Sequence, residues 1–427
     1  MNPPPGGVFA TSSTTVSLGG SLQVESLNTD RDACGEFGSN RALHGNGARL
    51  IDLGEREQTA LSFRMYDFLH TVVVSICWEP AVEINKCRVR LVSMGTAVAT
   101  AYTMAGENEE DGSTVFRPGT AALSPVRTVV ALALWLGAIH FNLLLVLASV
   151  FVFPGHIAAL VLGTQLFFMF APVSNTNGWG RNVARFICKH AVGYFPITLH
   201  VEDYDAFDPN TAYVFGYEPH CAMPLGLWVL AAPMGFMPLP KMKILASSAA
   251  FYTPFQRQIW TWLGLVPASR KNFSYYLGAG YSCAVVPGGL REMRYMDHEP
   301  DSEVAFIRSR KGFVRIAIQT GCPLVPVFCF GQDRVYNWWR PGSNLLVKIV
   351  GLLKAPAIVF WGKFGTFIPF RLPMHVFVGR PIEVTKNNQP TMDEINEVHE
   401  KFVMGLQELF NKHKYKAGCP NLQLQVI

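Results

Sequence analysis

The sequence predicts an α/β protein in which an N-terminal transmembrane helical hairpin precedes a layered α/β domain. Three observations carry that expectation. Hydrophobic residues make up 49% of the 427 positions and charged residues only 16%, below the roughly 25% of an ordinary soluble domain. A run without one charged side chain, TVVALALWLGAIHFNLLLVLASVFVF, extends from Thr128 to Phe153 and exceeds the about 20 apolar residues a helix needs to cross a bilayer. Beyond Trp179, short strand-like runs alternate with helical stretches, the pattern of a sheet covered by helices.

Residues 1–112 form an N-terminal extension with little sign of a core. Met1 to Asp52 is rich in Pro, Gly, Ser and Thr, with too little apolar surface to offset chain entropy, and is expected to be disordered. The first basic residue is Arg31, so the start lacks the charged segment of a signal peptide and the arginines of a transit peptide. Leu61 to Met104 is more apolar and contains HTVVVSICW, which is too short to span a bilayer.

The hairpin is expected within residues 113–178, with apolar segments at about 128–153 and 157–172. Pro154 and Gly155 break the first run, and IAALVLGTQLFFMFAP follows. Arg117 and Arg127 precede it, and Arg181, Arg185 and Lys189 follow it, which places both ends in the cytosol by the positive-inside tendency. The second segment is short, so a re-entrant hairpin satisfies the pattern as well as two full spans. The bland alternative is a helix pair buried in a soluble domain. His140 and Asn142 lie inside the apolar run, where a hydrogen bond between the two helices is the expected use.

Over residues 179–427 strands are expected at Ala212–Tyr217, Lys243–Ala246, Ala284–Val286, Leu324–Phe330 and His375–Val378. Helices are expected near Thr253–Leu263 and Ser302–Thr320. TMDE supplies Thr391 as a cap with Glu394 three residues on, a capping box that opens a final amphipathic helix to about Lys414.

A net charge of +5 is modest and dispersed; it suits an anionic lipid surface or an anionic substrate, not a nucleic-acid stripe, and no nucleic-acid partner is expected. Nine scattered cysteines, with no Cys-x-x-Cys pair and no His/Cys cluster at metal spacing, indicate reduced thiols on the cytosolic side. The Gly-x-Ser-x-Gly elbow, the P-loop and His-Glu-x-x-His are missing, and GAGYSC at Gly278–Cys283 lacks the third glycine of a dinucleotide loop. Serine hydrolase, NTPase, zinc protease and dehydrogenase chemistry lose their usual signatures.

What remains gathers at strand ends. YVFGYEPHCAMPLG, Tyr213–Gly226, ends an aromatic run with Glu218, Pro219 and His220. Either a core strand closes in a polar turn, or an acid/base pair stands at the mouth of a pocket. An imidazole near its natural pKa can take the proton of an alcohol as it attacks, with help from an orienting acid. Glu218 points to the opposite side if the strand continues; Glu292, the last residue of PGGLRE, is the expected orienting acid. Gly288 and Gly289 follow a strand and either form a tight turn or bring backbone N–H groups to an oxyanion or a phosphate. In RSRKGFVR, helical spacing puts Arg308, Lys311 and Arg315 on one face and Arg310 with Phe306, Phe313 and Ala317 on the other. An arginine on an apolar face needs an anionic partner, and Gly312 in mid-helix implies close packing there.

Four segments in fixed order, WGRNVARFICKHAVGYFPITLHVEDYDAFDPNTAYVFGYEPHCAMPLG, VVPGGLRE, RSRKGFVRIAIQTGCPLVPVFCFGQ and FWGKFGTFIPFRLPMHVFVGRPIEV, together resemble the acyl-CoA:diacylglycerol acyltransferase type 2 family. The similarity runs from about Ser113 to the C-terminus and points to the plant and green-algal branch. It implies a glycerophosphate-acyltransferase-like α/β fold at the endoplasmic reticulum membrane, with the catalytic domain and both termini cytosolic. It implies transfer of an acyl group from acyl-CoA to diacylglycerol, with no metal and no cofactor, acyl-CoA being a substrate; a homo-oligomer is compatible with it. His220 falls on the second His of the family's His-Pro-His-Gly block and Glu218 on the first, as in the plant proteins; Cys221 stands where Gly or Ser is common. Tyr194, Phe195 and Pro196 match the Tyr-Phe-Pro motif. Arg310, Gly312, Phe313, Arg315 and Ala317 match the Arg-x-Gly-Phe-x-Arg-x-Ala signature. The related glycerophosphate acyltransferases carry an Asp five residues after the His, where this chain has Leu225. The resemblance thus implies His220, Glu218 and Glu292 as catalytic, and Pro219, Gly288, Gly289, Arg310, Lys311, Gly312, Phe313, Arg315 and the Tyr-Phe-Pro residues as substrate-binding. The rival acceptors are monoacylglycerol, a long-chain alcohol or phytol; the rival class is a membrane lipid-binding protein without turnover.

Overall fold

Unbroken burial along the central strands sets the architecture. The computed structural model describes residues 106–109, 112–117, 124–174, 178–296, 299, 301–340 and 358–427; the expectations for residues 1–105 lie outside them. β1 (Glu107–Asn108) and β2 (Thr114–Phe116) precede three helices, α1 (Pro125–Leu136), α2 (Ala138–Phe151) and α3 (Gly155–Phe170). α4 (Gly178–His190) leads to β3 (Ile197–Val201) and β4 (Val214–Glu218). Next come β5 (Met242–Ala246), α5 (Gln256–Trp262), β6 (Leu265–Pro267), α6 (Arg270–Gly278) and β7 (Ser282–Val285). β8 (Ser302–Ala305), α7 (Gly312–Thr320), β9 (Leu324–Phe330) and the antiparallel pair β10 (Asn337–Trp339) and β11 (Val359–Trp361) follow. β12 (Met374–Val378), α8 (Met392–His413) and β13 (Gln423–Val426) complete the order.

Nine strands form one sheet in the order β1-β2-β3-β12-β9-β4-β7-β5-β6. From β9 to β6 the neighbours are parallel, whereas β12 runs antiparallel to β9. Phe215, Tyr217, Val325 and Val327 point into one apolar layer with Leu132 and Trp135 of α1 and Ile187 of α4. Val214, Leu324, Phe328 and Phe330 point into the other, against α6, α7 and α8. A strand buried on both faces is expected of a covered parallel sheet. Each fully buried large side chain contributes about 1.5–3 kcal/mol.

The apolar run expected to be one helix is broken. α1 and α2 meet at Gly137 with a bend of 70°. A Cβ at Gly137 would press on the Ala133 carbonyl and approach the Phe367 ring. The two halves have different surroundings: Ala131, Leu132 and Trp135 are buried in the domain, while Leu144, Phe151 and Leu160 are exposed. The two apolar segments that face outward are therefore α2 and α3, of 14 and 16 residues, about 21 and 24 Å at 1.5 Å per residue. Among the described residues no single helix is long and apolar enough to cross a membrane. Asn142 does not bond across the hairpin; its Nδ2 donates to the Ala138 carbonyl of its own helix at 2.6 Å and to Pro254 at 2.9 Å.

The helix expected over Ser302–Thr320 is also divided. Ser302–Ala305 is β8, paired in parallel with β13 near the C-terminus, and the helix begins only at Gly312. Arg308 to Arg310 lie in the connection, so the helical-face argument for Arg310 does not apply. Gly312 stands at the start of α7, and a Cβ there would meet nothing within 4 Å; the close packing expected of it is absent. The Thr391 cap is as expected: its Oγ1 accepts from the Glu394 N–H at 3.2 Å, and the Glu394 carboxylate accepts from the Thr391 N–H at 2.6 Å.

Candidate active site

Parallel strands end on the same side, so the loops after β7, β4 and β9 converge. Glu218 at the end of β4 pairs with Phe328 of β9, and Gly216 pairs with Val285 of β7. The edge of an open α/β sheet where such loops meet is its usual ligand site. Glu218 is fully buried, Pro219 is joined to it through a cis peptide, and His220 is part-buried. Cys221 takes a left-handed backbone with φ of 50°, a conformation that glycine adopts freely and other residues at a cost of about 1–3 kcal/mol. With that turn the Cys221 carbonyl comes within 2.9 Å of the His220 Nδ1. Nδ1 carries the hydrogen in that bond, because a carbonyl only accepts, and Nε2 is left as the basic nitrogen.

Glu292 was expected to hold the imidazole. It holds the main chain instead: Oε1 accepts from the backbone N–H of His220, and Oε2 accepts from the Phe306 N–H at 3.1 Å. Its segment, Gly289–Arg294, is a short helical turn behind the loop, which directs the carboxylate at the peptide and leaves the ring to Cys221. Gly288 passes so close to this carboxylate that a Cβ would collide with Oε2. The Gly288 N–H donates to Glu218 Oε1 at 3.2 Å, and Gly289 has φ of 54°, so the pair is both a tight turn and a carboxyl holder.

Burial pushes the Glu218 carboxyl well above the usual carboxylate range, and the nearby Glu292 carboxyl adds to this. Both effects favour the protonated form of Glu218. Burial lowers the His220 pKa from 6.5, with the Cys221 carbonyl and Glu292 opposing it more weakly, so the ring is neutral and able to accept a proton. Burial holds the Cys221 thiol well above its ordinary value, which removes it as a thiolate nucleophile.

His220 opens into a cavity of about 1060 Å³. One part of its wall is apolar, with Trp135 of α1, Ile139 of α2 and Trp228; another is basic, with Arg291, Arg310 and Lys311. Gly288, Gly289, Gly312, Phe313 and Arg315 also line it. Arg310 donates from Nε to the Pro287 carbonyl at 2.8 Å, and Lys311 donates to Asn396 Oδ1 at 2.7 Å. Burial, then the neighbouring Arg291 charge, lowers the Arg310 pKa. This is a site short of negative charge and suited to an anion.

The expected substrate contacts of Tyr194, Phe195, Pro196 and Pro219 are not found, since none lines this cavity. The Tyr194 hydroxyl donates to the Pro369 carbonyl at 2.9 Å, Phe195 is in the core, and the Pro196 carbonyl accepts from Met374. They secure the entry to β3. Arg270, Arg291, Trp135 and Trp228 line the cavity without having been singled out. Arg291 had a signal, lying inside PGGLRE; Arg270 and the tryptophans reach the site only through the fold.

The family model for diacylglycerol acyltransferase matches residues 149–427. The chain belongs to the diacylglycerol acyltransferase family. Human 2-acylglycerol O-acyltransferase 1 is 33% identical over 56% of this chain and 76% of its own. Human diacylglycerol O-acyltransferase 2 is 31% identical over 58% of this chain and 67% of its own, and the Danio rerio protein of that name 30% over 56% and 71%. A solved 1-acyl-sn-glycerophosphate acyltransferase from Thermotoga maritima covers 66% of this chain and 97% of its own at 13% identity and a TM-score of 0.32, too distant to carry an argument. Within this acyltransferase family, His220 and the loops of β4 and β7 all fall in the matched residues.

Proposed function

We propose that this acyltransferase moves a fatty acyl group from acyl-CoA to the free hydroxyl of diacylglycerol, giving triacylglycerol and CoA. The observation that carries this is the single cavity that joins a neutral, tautomer-fixed His220 to an apolar wall and a basic rim. The acceptor hydroxyl attacks the thioester carbonyl as His220 Nε2 takes its proton. The tetrahedral intermediate collapses, the C–S bond breaks, and the CoA thiolate recovers the proton from the imidazolium. Base assistance of this kind is worth about 10²–10⁴ in rate. The Gly288 N–H is engaged by Glu218, so the oxyanion falls to the Gly289 N–H. Arg270, Arg291, Arg310 and Lys311 supply the positive charge that the CoA phosphates require.

We place the α2–α3 hairpin in the endoplasmic reticulum membrane as a re-entrant insertion, with the α/β domain and both termini cytosolic. Its outward Leu, Val and Phe side chains support this, as does its length, below the about 30 Å of hydrocarbon thickness. Ile139 of α2 lines the cavity, which gives a membrane-borne alcohol a route to His220. The Glu218-Pro219-His220 form of the block supports a place in the plant and green-algal branch. Monoacylglycerol is the second acceptor to test, because a 2-acylglycerol acyltransferase is among the relatives.

Expression in cells unable to make triacylglycerol, with labelled acyl-CoA and several acceptors, tests the reading. Labelled triacylglycerol in lipid droplets is the expected result. Wax or phytyl esters alone would reassign the acceptor, and diacylglycerol binding without acyl-CoA consumption would replace the enzyme by a lipid-binding protein.

A further inference from the structure

We propose that Gln332 is a positioning residue for acyl transfer, pinning together with Glu292 the peptide plane between Pro219 and His220. Gln332 follows β9, whose end lies beside the end of β4. The residue is 3% exposed and its side chain makes three hydrogen bonds. Oε1 accepts from the Tyr217 hydroxyl at 2.6 Å and from the Gly226 N–H at 2.8 Å, while Nε2 donates to the Pro219 carbonyl at 2.8 Å. The two donors leave the amide only one orientation, because a carbonyl oxygen must face them and the NH₂ must then face Pro219. The C=O of the Pro219–His220 peptide is thus held by Gln332 and its N–H by Glu292. A peptide group is planar, so fixing both of its polar atoms fixes the position of the His220 Cα from which the side chain leaves the main chain. The same amide ties Tyr217, before the turn, to Gly226, after it. Gly226 sits so near Tyr217 Oη and Cys329 Sγ that a Cβ would displace them. Gln332 touches no atom of the imidazole; it acts on catalysis through the loop.

The inference rests on His220 being the base. In microsomes, Gln332→Leu keeps the volume and removes all three bonds. With membrane-bound protein at parental abundance, kcat is expected to fall about 10–100-fold while KM for acyl-CoA stays within about twofold, since a misplacement near 1 Å costs on this order. Gln332→Glu supplies a second, isosteric variant. Protonated, its carboxyl donates to Pro219 and accepts from Tyr217 and Gly226; ionised, it sets a negative oxygen against the Pro219 carbonyl. Tyr217, Cys221, Cys329, Glu292, Glu303 and Asp333 are the titratable groups around it, and burial of position 332 itself disfavours the charged carboxylate and so favours the protonated form. The activity of Gln332→Glu relative to the parent is therefore expected to decline as pH rises. Parental kcat in Gln332→Leu, or a flat pH ratio for Gln332→Glu, overturns the inference. Retained transfer in His220→Ala brings down the catalytic reading and this inference together; an inactive His220→Ala beside a full-speed Gln332→Leu overturns the inference alone.

Discussion

Between Tyr217 and Gly226 every residue but His220, Met223 and Pro224 is buried, whereas along α2 and α3 Leu144 is 64%, Phe151 79% and Leu160 71% exposed. Both stretches are apolar in sequence. In the first, buried polar side-chain atoms other than Glu218 Oε2 find partners inside the protein, and one imidazole edge is left open to a cavity. In the second, these outward side chains have little to pack against among the described residues. An apolar composition says which groups leave water; whether protein or lipid replaces the water depends on what the fold brings alongside. Variants in the loop should stop turnover and leave attachment intact, and variants in the hairpin should do the reverse.

The largest effect is expected for Leu144→Asp with Leu160→Asp, with membrane partitioning lowered about 10⁴–10⁵-fold, since each buried carboxylate costs about 2.5–3.5 kcal/mol at a helix centre. Turnover of detergent-dispersed diacylglycerol by that variant should stay near parental, and a matching collapse there would break the comparison. His220→Ala is expected to reduce acyl transfer in microsomes about 10²–10⁴-fold and to leave membrane-bound protein unchanged, as followed by labelled acyl-CoA and flotation. Arg291→Gln with Arg310→Gln is expected to raise KM for acyl-CoA about tenfold with kcat nearly constant. Glu292→Gln keeps an acceptor for only one of the two N–H groups, of His220 and Phe306, that the carboxyl group serves, and a fall in kcat of several-fold to about tenfold is expected.

Where the sequence was legible, the cause was local. β9 has the predicted bounds because seven apolar residues between a turn and a glycine can form little else, and the Thr391 capping box is closed within four residues. Helices at Gly178–His190 and Arg270–Gly278 were missed. β8 was taken for helix because its partner, β13, is more than a hundred residues away. The 70° bend at Gly137 was hidden for a related reason: uniform hydropathy cannot distinguish α1, packed in the domain, from α2, facing out. In the site, His220, the glycine pair and the basic signature were legible as motifs. The part played by Glu292 was not, since a carboxylate near a histidine suggests a ring contact and only the backbone trace reveals the N–H it takes.

The central claim is that the His220 ring, neutral and fixed through Nδ1, is the group that accepts the substrate proton. The dependence of kcat/KM on pH tests it most directly. A base works deprotonated, and burial lowers the His220 pKa below 6.5, so activity should be level through neutrality and fall as the medium is acidified past that lowered value. The account predicts this single acid limb, titrating below 6.5. A rate that keeps climbing above neutrality, as for a base of higher pKa, would contradict it.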